Sequence, residues 1–224
     1  MLPIAGLAGV LAEPSRVLML DLLLDGDAHA IGRLAHTASV SAATASSHVR
    51  KLVDAGLVVV EARGRQRMVR LAGSEVADLL ERLAALSAPA ATRPRLDQLR
   101  FARTCYDHLA GVLSVLVAHA LVDRGWLYPT SDNLEPAPAL LAWLADHGHA
   151  VDFGGTRALS RACLDWTERV PHVAGKVGAA LADVFVANRW VARIRDTRAL
   201  RITERGRLAL VRELGLSLPL ARRS

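Results

Sequence analysis

Cys105-Tyr-Asp-His108 and Cys163-Leu-Asp-Trp166, the second followed by His172, are the stretches of this 224-residue chain whose side chains could ligate or react. A thiolate and an imidazole are ligands for a soft divalent metal. On a helix, Cys105 and His108 at i and i+3 share one face, so both could reach one ion. Cys163 and His172 would complete a set of four. Redox sensing through the thiols is a second use of the same residues, and a buried small hydrophobe is the plain use of a cysteine. Cys105 with His108, or Asp165 with His172, could also be cast as nucleophile and base. No glycine-rich phosphate loop, nucleophile elbow or H-E-x-x-H pattern accompanies them, so the chain is read as not an enzyme.

A different chemistry is written in 41–71, "SAATASSHVRKLVDAGLVVVEARGRQRMVRL". Small and hydroxyl residues come first, then a run of arginines. Arg50, Lys51, Arg63, Arg65, Arg67 and Arg70 stand there against only Asp54 and Glu61. A slim helix lets its backbone approach a DNA groove, and a basic hairpin tip suits the phosphate backbone or the adjacent minor groove.

The elements that must position these residues follow from pattern. A first helix runs to Glu13, and Pro14 opens a second that continues to about Leu24. "DGDAH" makes a turn, and "AIGRLAHTA" forms a short helix. Ser41 caps the next helix, in which Ala45, Val49 and Leu52 form the inward stripe and Gly56 is the stop. "LVVVEA" and "RMVRLA" alternate like strands around the turn "RGRQ". "SEVADLLERLAALSA" begins with a capping serine and carries Val76, Leu79, Leu80, Leu83 and Leu86 at helical spacing.

Composition agrees with a mainly helical protein. The chain is 52% hydrophobic but only 4% aromatic, with mean hydropathy +0.25, enough for a sizeable core built on small-faced helices. Net charge is +6, yet residues 1–87 hold nine basic and nine acidic side chains, so the excess lies beyond them. Local charge therefore says more than global charge. Two cysteines are too few for a disulfide framework, and the N-terminus lacks the basic leader of a secretion signal. The longest apolar run, "LAGVLSVLVAHALV", is too short to span a bilayer. A cytoplasmic protein with no membrane association is expected.

"LAEPSRVLMLDLL", "AIGRLA" and "SAATASSHVRKLVDAGLVVVEARGRQRMVRL", in this order, resemble the DNA-binding domain of the ArsR family of bacterial winged-helix repressors, over residues 4–87. The resemblance implies a winged helix-turn-helix that binds double-stranded DNA as a homodimer. It places Ser41, Ala42, Thr44, Ser46, Ser47, His48 and Arg50, with Lys51 beside them, on the groove-facing helix. Arg63, Arg65, Gln66 and Arg67 form the wing, and the 74–88 helix pairs with a second subunit. The family often has glutamine and histidine where this chain has Ala42 and Ser47, which shifts readout toward wing and DNA shape. Its familiar metal sites are missing, since "AIGRLAHTA" has no cysteine pair and the 74–87 helix no histidine. A winged helix that serves protein interaction without specific DNA binding is the alternative.

Residues 1–87 thus form the expected DNA-binding and dimerisation domain, 88–98 a linker, and 99–224 a helical C-terminal region that senses an effector. That region contains a degenerate repeat. "HLAGVLSVLVAHALVDRGWL" at 108–127 aligns without gaps to "HVAGKVGAALADVFVANRWV" at 172–191, matching His108 with His172, Gly111 with Gly175 and Trp126 with Trp190. "RIRDTRALRITERGRLALVREL" after the second copy reads as a hairpin and a helix capped at Thr203. "YPTSDNLEPAP" after the first reads as a lost wing. Tyr106, Trp126, Trp143, Trp166, Phe185 and Trp190 could line a pocket for a small apolar ligand. Metal, apolar ligand, and a region that merely enlarges the dimer all stay open.

Overall fold

The computed structural model describes residues 4–64, 66–87, 94–130, 133–195 and 197–218. The chain divides into two compact units, one of residues 1–80 with 195–198, the other of 81–194 with 199–224.

In the first unit, α1 (Ala5–Leu11) leads to α2 (Pro14–Leu23), whose cap is Glu13, its side chain accepting from the Ser15 N–H. Pro14 costs nothing at this first position because its missing N–H would have had no partner. α3 (Ile31–Thr37) and α4 (Ala42–Asp54) form the helix-turn-helix. Ser41 caps α4 as expected, with Oγ 3.1 Å from the Thr44 N–H. Ala45, Val49 and Leu52 face inward and are at most 4% exposed. α4 ends in a Schellman motif: the Leu57 N–H reaches the Leu52 carbonyl at 2.9 Å and the Gly56 N–H reaches Val53 at 2.8 Å. Gly56, at φ +71°, takes the left-handed backbone this ending requires.

The wing is a hairpin of β2 (Val58–Arg63) and β3 (Gln66–Leu71), paired from Val58↔Leu71 to Arg63↔Gln66. Pattern alone did not disclose its third strand. β1 (His29–Ala30) joins β3 at positions expected to be the end of a turn and the first residue of a short helix, and the Asp25 carboxylate steadies His29 at 2.8 Å. Val58, Val69 and Leu71 turn the sheet's inner face onto Met19, Leu23, Leu34 and Leu52, all buried. α5 (Ser74–Leu86) begins in this unit and ends in the second.

The second unit repeats one element order. α6 (Pro94–Phe101) comes first, so part of the expected linker is helical. The first copy is the hairpin β4 (Arg103–Cys105) and β5 (His108–Ala110), then α7 (Val112–Asp123), the hairpin β6 (Leu127–Pro129) and β7 (Leu134–Pro136), and α8 (Pro138–Asp146). In the second copy, β8 (Arg161–Leu164) and β9 (Pro171–Ala174) precede α9 (Gly175–Ala187), then β10 (Val191–Arg193), β11 (Leu200–Ile202) and α10 (Glu204–Leu214). The first copy has therefore kept its wing-like hairpin. Leu127 pairs with Pro136 and Pro129 with Leu134; prolines are tolerated because no third strand needs their absent N–H groups. Thr203 caps α10 as expected, Oγ1 accepting from the Gly206 N–H at 2.9 Å.

Backbone detail follows the repeat. Gly111 and Gly175 both enter their helices with positive φ, +86° and +79°. A methyl on Gly111 would stand 2.5 Å from the Arg100 carbonyl, and one on Gly175 2.9 Å from that of Ala158, so no side chain fits where hairpin meets helix. One core serves both copies, with Leu113, Leu121, Leu127, Leu140, Val177, Phe185, Val191 and Leu210 fully or almost fully buried. Among the described residues no helix is long and apolar enough to cross a membrane.

Candidate nucleic-acid interface and a buried cysteine-histidine cluster

α4 presents its polar side outward. Ser41, Ala42, Thr44, Ser46, Ser47, Arg50 and Lys51 are exposed, while the inward stripe fixes the helix to the core. Three hydroxyls are already engaged, since Ser41 Oγ caps the helix and lies 2.8 Å from Thr44 Oγ1, and Ser46 Oγ donates to the Ala42 carbonyl at 2.8 Å. Ser47, one position on, is exposed. His48 differs from the expectation of a freely reaching side chain: it is half-buried, its Nδ1 3.4 Å from Nη1 of Arg16. Arg16 itself is 7% exposed and donates to the Val10 and Gly9 carbonyls at 2.5 and 3.0 Å. Beside that fixed cation, Nδ1 of His48 serves best as an acceptor.

At the wing tip Arg63, Gln66 and Arg67 are exposed; Arg65 lies outside the described residues. Arg63 pairs with Gln66 and Ala62 with Arg67, so Arg63 and Arg67 project from opposite faces of the ribbon. Arg70 is committed elsewhere, its Nε 2.5 Å from Glu61 Oε1.

In the second unit the structure brings Cys105, His108, Cys163 and His172 together, with one ligating atom from each lying within 4.8 Å of the others. The arrangement is not the helical one expected from i, i+3 spacing. Cys105 and His108 are cross-strand partners at the end of the β4–β5 hairpin, joined through Tyr106, whose φ is +62°. Cys163 and His172 are cross-strand partners in β8–β9. Paired residues share a sheet face, so each hairpin offers one thiol and one imidazole together. All four are buried, the His108 and His172 ring centroids are 5.1 Å apart, and Ala110 and Ala174 pack against the sulfurs.

Carboxylates flank both imidazoles. His108 Nδ1 is 3.3 Å from Asp107 Oδ1, and His172 Nδ1 is 3.6 Å from Asp165 Oδ2. Nε2 of each ring is buried and makes no hydrogen bond. Interaction with the Cys105 thiol, then with the two imidazoles, holds the Cys163 thiol far below its ordinary range against the opposing effect of burial. Burial alone would lower His108, but Asp107 and Cys163 raise it to about 9.

Asp165 anchors the surroundings. Its carboxylate accepts from Arg103 at 3.0 Å, the Gly111 N–H at 2.6 Å and the Thr167 N–H and hydroxyl at 2.9 and 2.6 Å. Burial pushes its acidity one way, but the Arg103 charge and these donors win and hold it well below the usual carboxylate range. Arg103 is fully buried, lies 3.6 Å from Glu81 and stacks 5.0 Å over the Trp166 ring.

A helix-turn-helix domain family model matches residues 11–61. Over 222 residues the chain is 38% identical to YdfF of Bacillus subtilis (strain 168), described as an uncharacterized HTH-type transcriptional regulator, covering 96% of this chain and 98% of that one. The chain belongs to the HTH-type transcriptional regulators. Its solved neighbours include the homodimeric winged helix-turn-helix DNA-binding domain of Mb0332 from Mycobacterium bovis, a possible ArsR-family regulator. That domain is 26% identical, covering 40% of this chain and 87% of its own, with a TM-score of 0.35. Another is the cadmium sensor CMTR from Mycobacterium tuberculosis, 33% identical over 40% of this chain and 94% of its own, with a TM-score of 0.31.

The remaining effector candidates of this HTH-type regulator fall into two groups. Trp126, Trp143 and Trp190 pack ring against ring in the core of the second unit, with Trp126–Trp143 and Trp143–Trp190 centroids 6.0 and 6.1 Å apart and Phe185 5.1 Å from Trp190. Tyr106 and Trp166 flank the cysteine-histidine cluster, the first in the β4–β5 turn and the second beneath Arg103. Sequence reasoning gave Arg103, Asp107 and Glu81 no role. Arg103 and Arg161 each precede a cluster cysteine by two residues, the one pattern that could have pointed there.

Proposed function

We propose that this transcriptional regulator is an ArsR-type homodimeric repressor that reads double-stranded DNA with α4 and the wing, and whose C-terminal unit responds to an effector. One observation carries the DNA reading: the exposed small, hydroxyl and basic residues of α4 stand on the side opposite its buried stripe, in a domain whose hairpin tip exposes Arg63 and Arg67. Ala42 and Ser46 keep the helix narrow enough for close approach to the major groove, while Arg50 and Lys51 reach phosphates. Two arginines on opposite ribbon faces can straddle a backbone or enter a minor groove. A two-fold dimer through α5 would place two such helices on successive half-sites. Leu83 and Leu86, 39% and 83% exposed on that helix, support a partner there.

An effector would act by favouring one of two dimer arrangements with different half-site separations, changing DNA affinity through coupled equilibria. The test is fluorescence anisotropy of the full chain on duplex from its own upstream region against a scrambled duplex, at several salt concentrations. Preferential binding with a steep salt dependence is expected. Equal and weak binding to both duplexes, with or without added metals, would replace this reading with a protein-interaction module.

A further inference from the structure

We propose that Cys105, His108, Cys163 and His172 form a closed four-ligand site for a zinc ion, built by the two repeated hairpins of the C-terminal unit. The site would stand whether or not the protein binds DNA. Three observations on the molecule converge.

The donor set comes first. Two sulfurs and two imidazole nitrogens are the tetrahedral combination zinc takes in structural sites. The four atoms lie within 4.8 Å of one another, and tetrahedral ligands at zinc bond lengths stand roughly 3.3–3.8 Å apart. Drawing the side chains in by about an ångström closes the shell. Two thiolates and two neutral imidazoles also cancel the charge of a divalent ion, so a buried site carries no net charge.

The orientation of the imidazoles comes second. Each has a carboxylate beside Nδ1, Asp107 at 3.3 Å and Asp165 at 3.6 Å, and each leaves Nε2 buried without a hydrogen bond. A carboxylate behind one nitrogen and a ligand for the other is how metal-bound histidines are usually held. A core that merely packed these rings would leave three nitrogens, both Nε2 atoms and His172 Nδ1, without a hydrogen bond, at a cost of about 1–3 kcal/mol each.

The third observation is the repeat. Each hairpin contributes the same pair in the same cross-strand register, Cys105↔His108 and Cys163↔His172, although two residues separate the first pair and eight the second. Gly178 sits where any side chain would collide with the Val173 carbonyl and crowd His108 Cβ, which keeps α9 close against the cluster. Four protein ligands leave no open position, so the ion would hold the hairpins together rather than catalyse.

The experiment uses the full chain, reduced and stripped with a chelator, titrated with Co(II) and then Zn(II). One Co(II) per chain is expected, with a thiolate-to-cobalt charge-transfer band and the intense visible bands of tetrahedral cobalt, both bleached by zinc. Cys163→Ser and His172→Gln should each weaken Co(II) binding at least tenfold, while His119→Gln on the exposed side of α7 changes nothing. Because a variant at the cluster can misfold, alkylation of Cys105 and Cys163 is also followed in the unaltered protein, where zinc should slow it at least tenfold. Absence of the charge-transfer band, an undiminished band and unchanged Co(II) affinity in Cys163→Ser, or equal alkylation with and without zinc would each overturn the site.

Discussion

Asp165 of the second repeat accepts a 2.6 Å hydrogen bond from the backbone N–H of Gly111, the first residue beyond the β5 strand of the other repeat. The same oxygen receives Arg103 at 3.0 Å, and both side chains are fully buried. Removing one member of a buried ion pair costs about 3–5 kcal/mol where the other charge is left uncompensated, and without Asp165 the buried Arg103 keeps, among the described residues, only the more distant Glu81, at 3.6 Å. Asp165→Ala should therefore lower the urea midpoint of the whole protein severely. Asp165→Asn, which retains an acceptor for Gly111, should lose less. An unfolding free energy for Asp165→Ala within about 1 kcal/mol of the parent would show that Glu81 suffices to compensate Arg103.

The repeats differ at one informative backbone position. Gly125 and Arg189 stand 64 residues apart, as do Trp126 and Trp190, and each is the left-handed residue ending its helix, at φ +67° and +58°. In both, the following tryptophan N–H bonds back at 2.8 Å, to Leu121 and to Phe185. Arg189 is exposed, so its side chain gives little in return for a backbone that costs about 1–2 kcal/mol outside glycine. Arg189→Gly should stabilise the protein by about 0.5–1 kcal/mol after the extra chain entropy of glycine is deducted. Gly125→Arg should do the reverse. Thermal unfolding of the two variants decides it, and equal midpoints would mean the helix ends are not under the strain their angles imply.

Much of the first unit was legible because its signals are local and long. Ser41 and Gly56 mark the ends of α4 through side-chain capping and positive φ, and the inward stripe spans about two turns. The cysteine-histidine hairpins were not legible as hairpins. Strands of three and four residues, most of them buried along their length, are too short to show alternation, and the i, i+3 spacing of Cys105 and His108 suits a helix equally well. The ungapped repeat found His108 with His172 but set Cys105 against Arg169, because the longer second turn moves Cys163 six positions upstream. Arg103 was missed for another reason. An arginine amid apolar residues reads as surface until the carboxylates around it are brought together by the fold.

The wing makes a graded prediction. Arg63 and Arg67 are exposed at the tip, whereas Arg70 is bound to Glu61 at 2.5 Å. Removing one cation that neutralises a phosphate should reduce the slope of log affinity against log salt by roughly one. Arg63→Ala and Arg67→Ala should each do so and weaken binding to specific and scrambled duplexes alike. Arg65→Ala, at the sequence centre of the basic tip, should match them. Arg70→Ala should leave the slope nearly unchanged. An equal drop for Arg70 would show that the ion pair opens on DNA and that all four arginines act together.

On α4 the effect should fall on preference rather than on overall strength. Ser47 is exposed between Ser46, whose hydroxyl is tied to the Ala42 carbonyl, and His48, whose ring leans on the buried Arg16. A hydroxyl hydrogen bond to a base edge contributes about 1 kcal/mol, so Ser47→Ala should alter the ratio of affinities between operator variants by roughly fivefold. It should leave the salt slope alone, because every phosphate keeps its cation. His48→Ala should change both preference and stability, since Arg16 loses a neighbour it faces inside the domain. Competition anisotropy with single-base operator variants separates the two residues. If Ser47→Ala weakened every duplex equally, base reading would have to move to other positions on the helix, and Ser47 would be touching the DNA backbone instead.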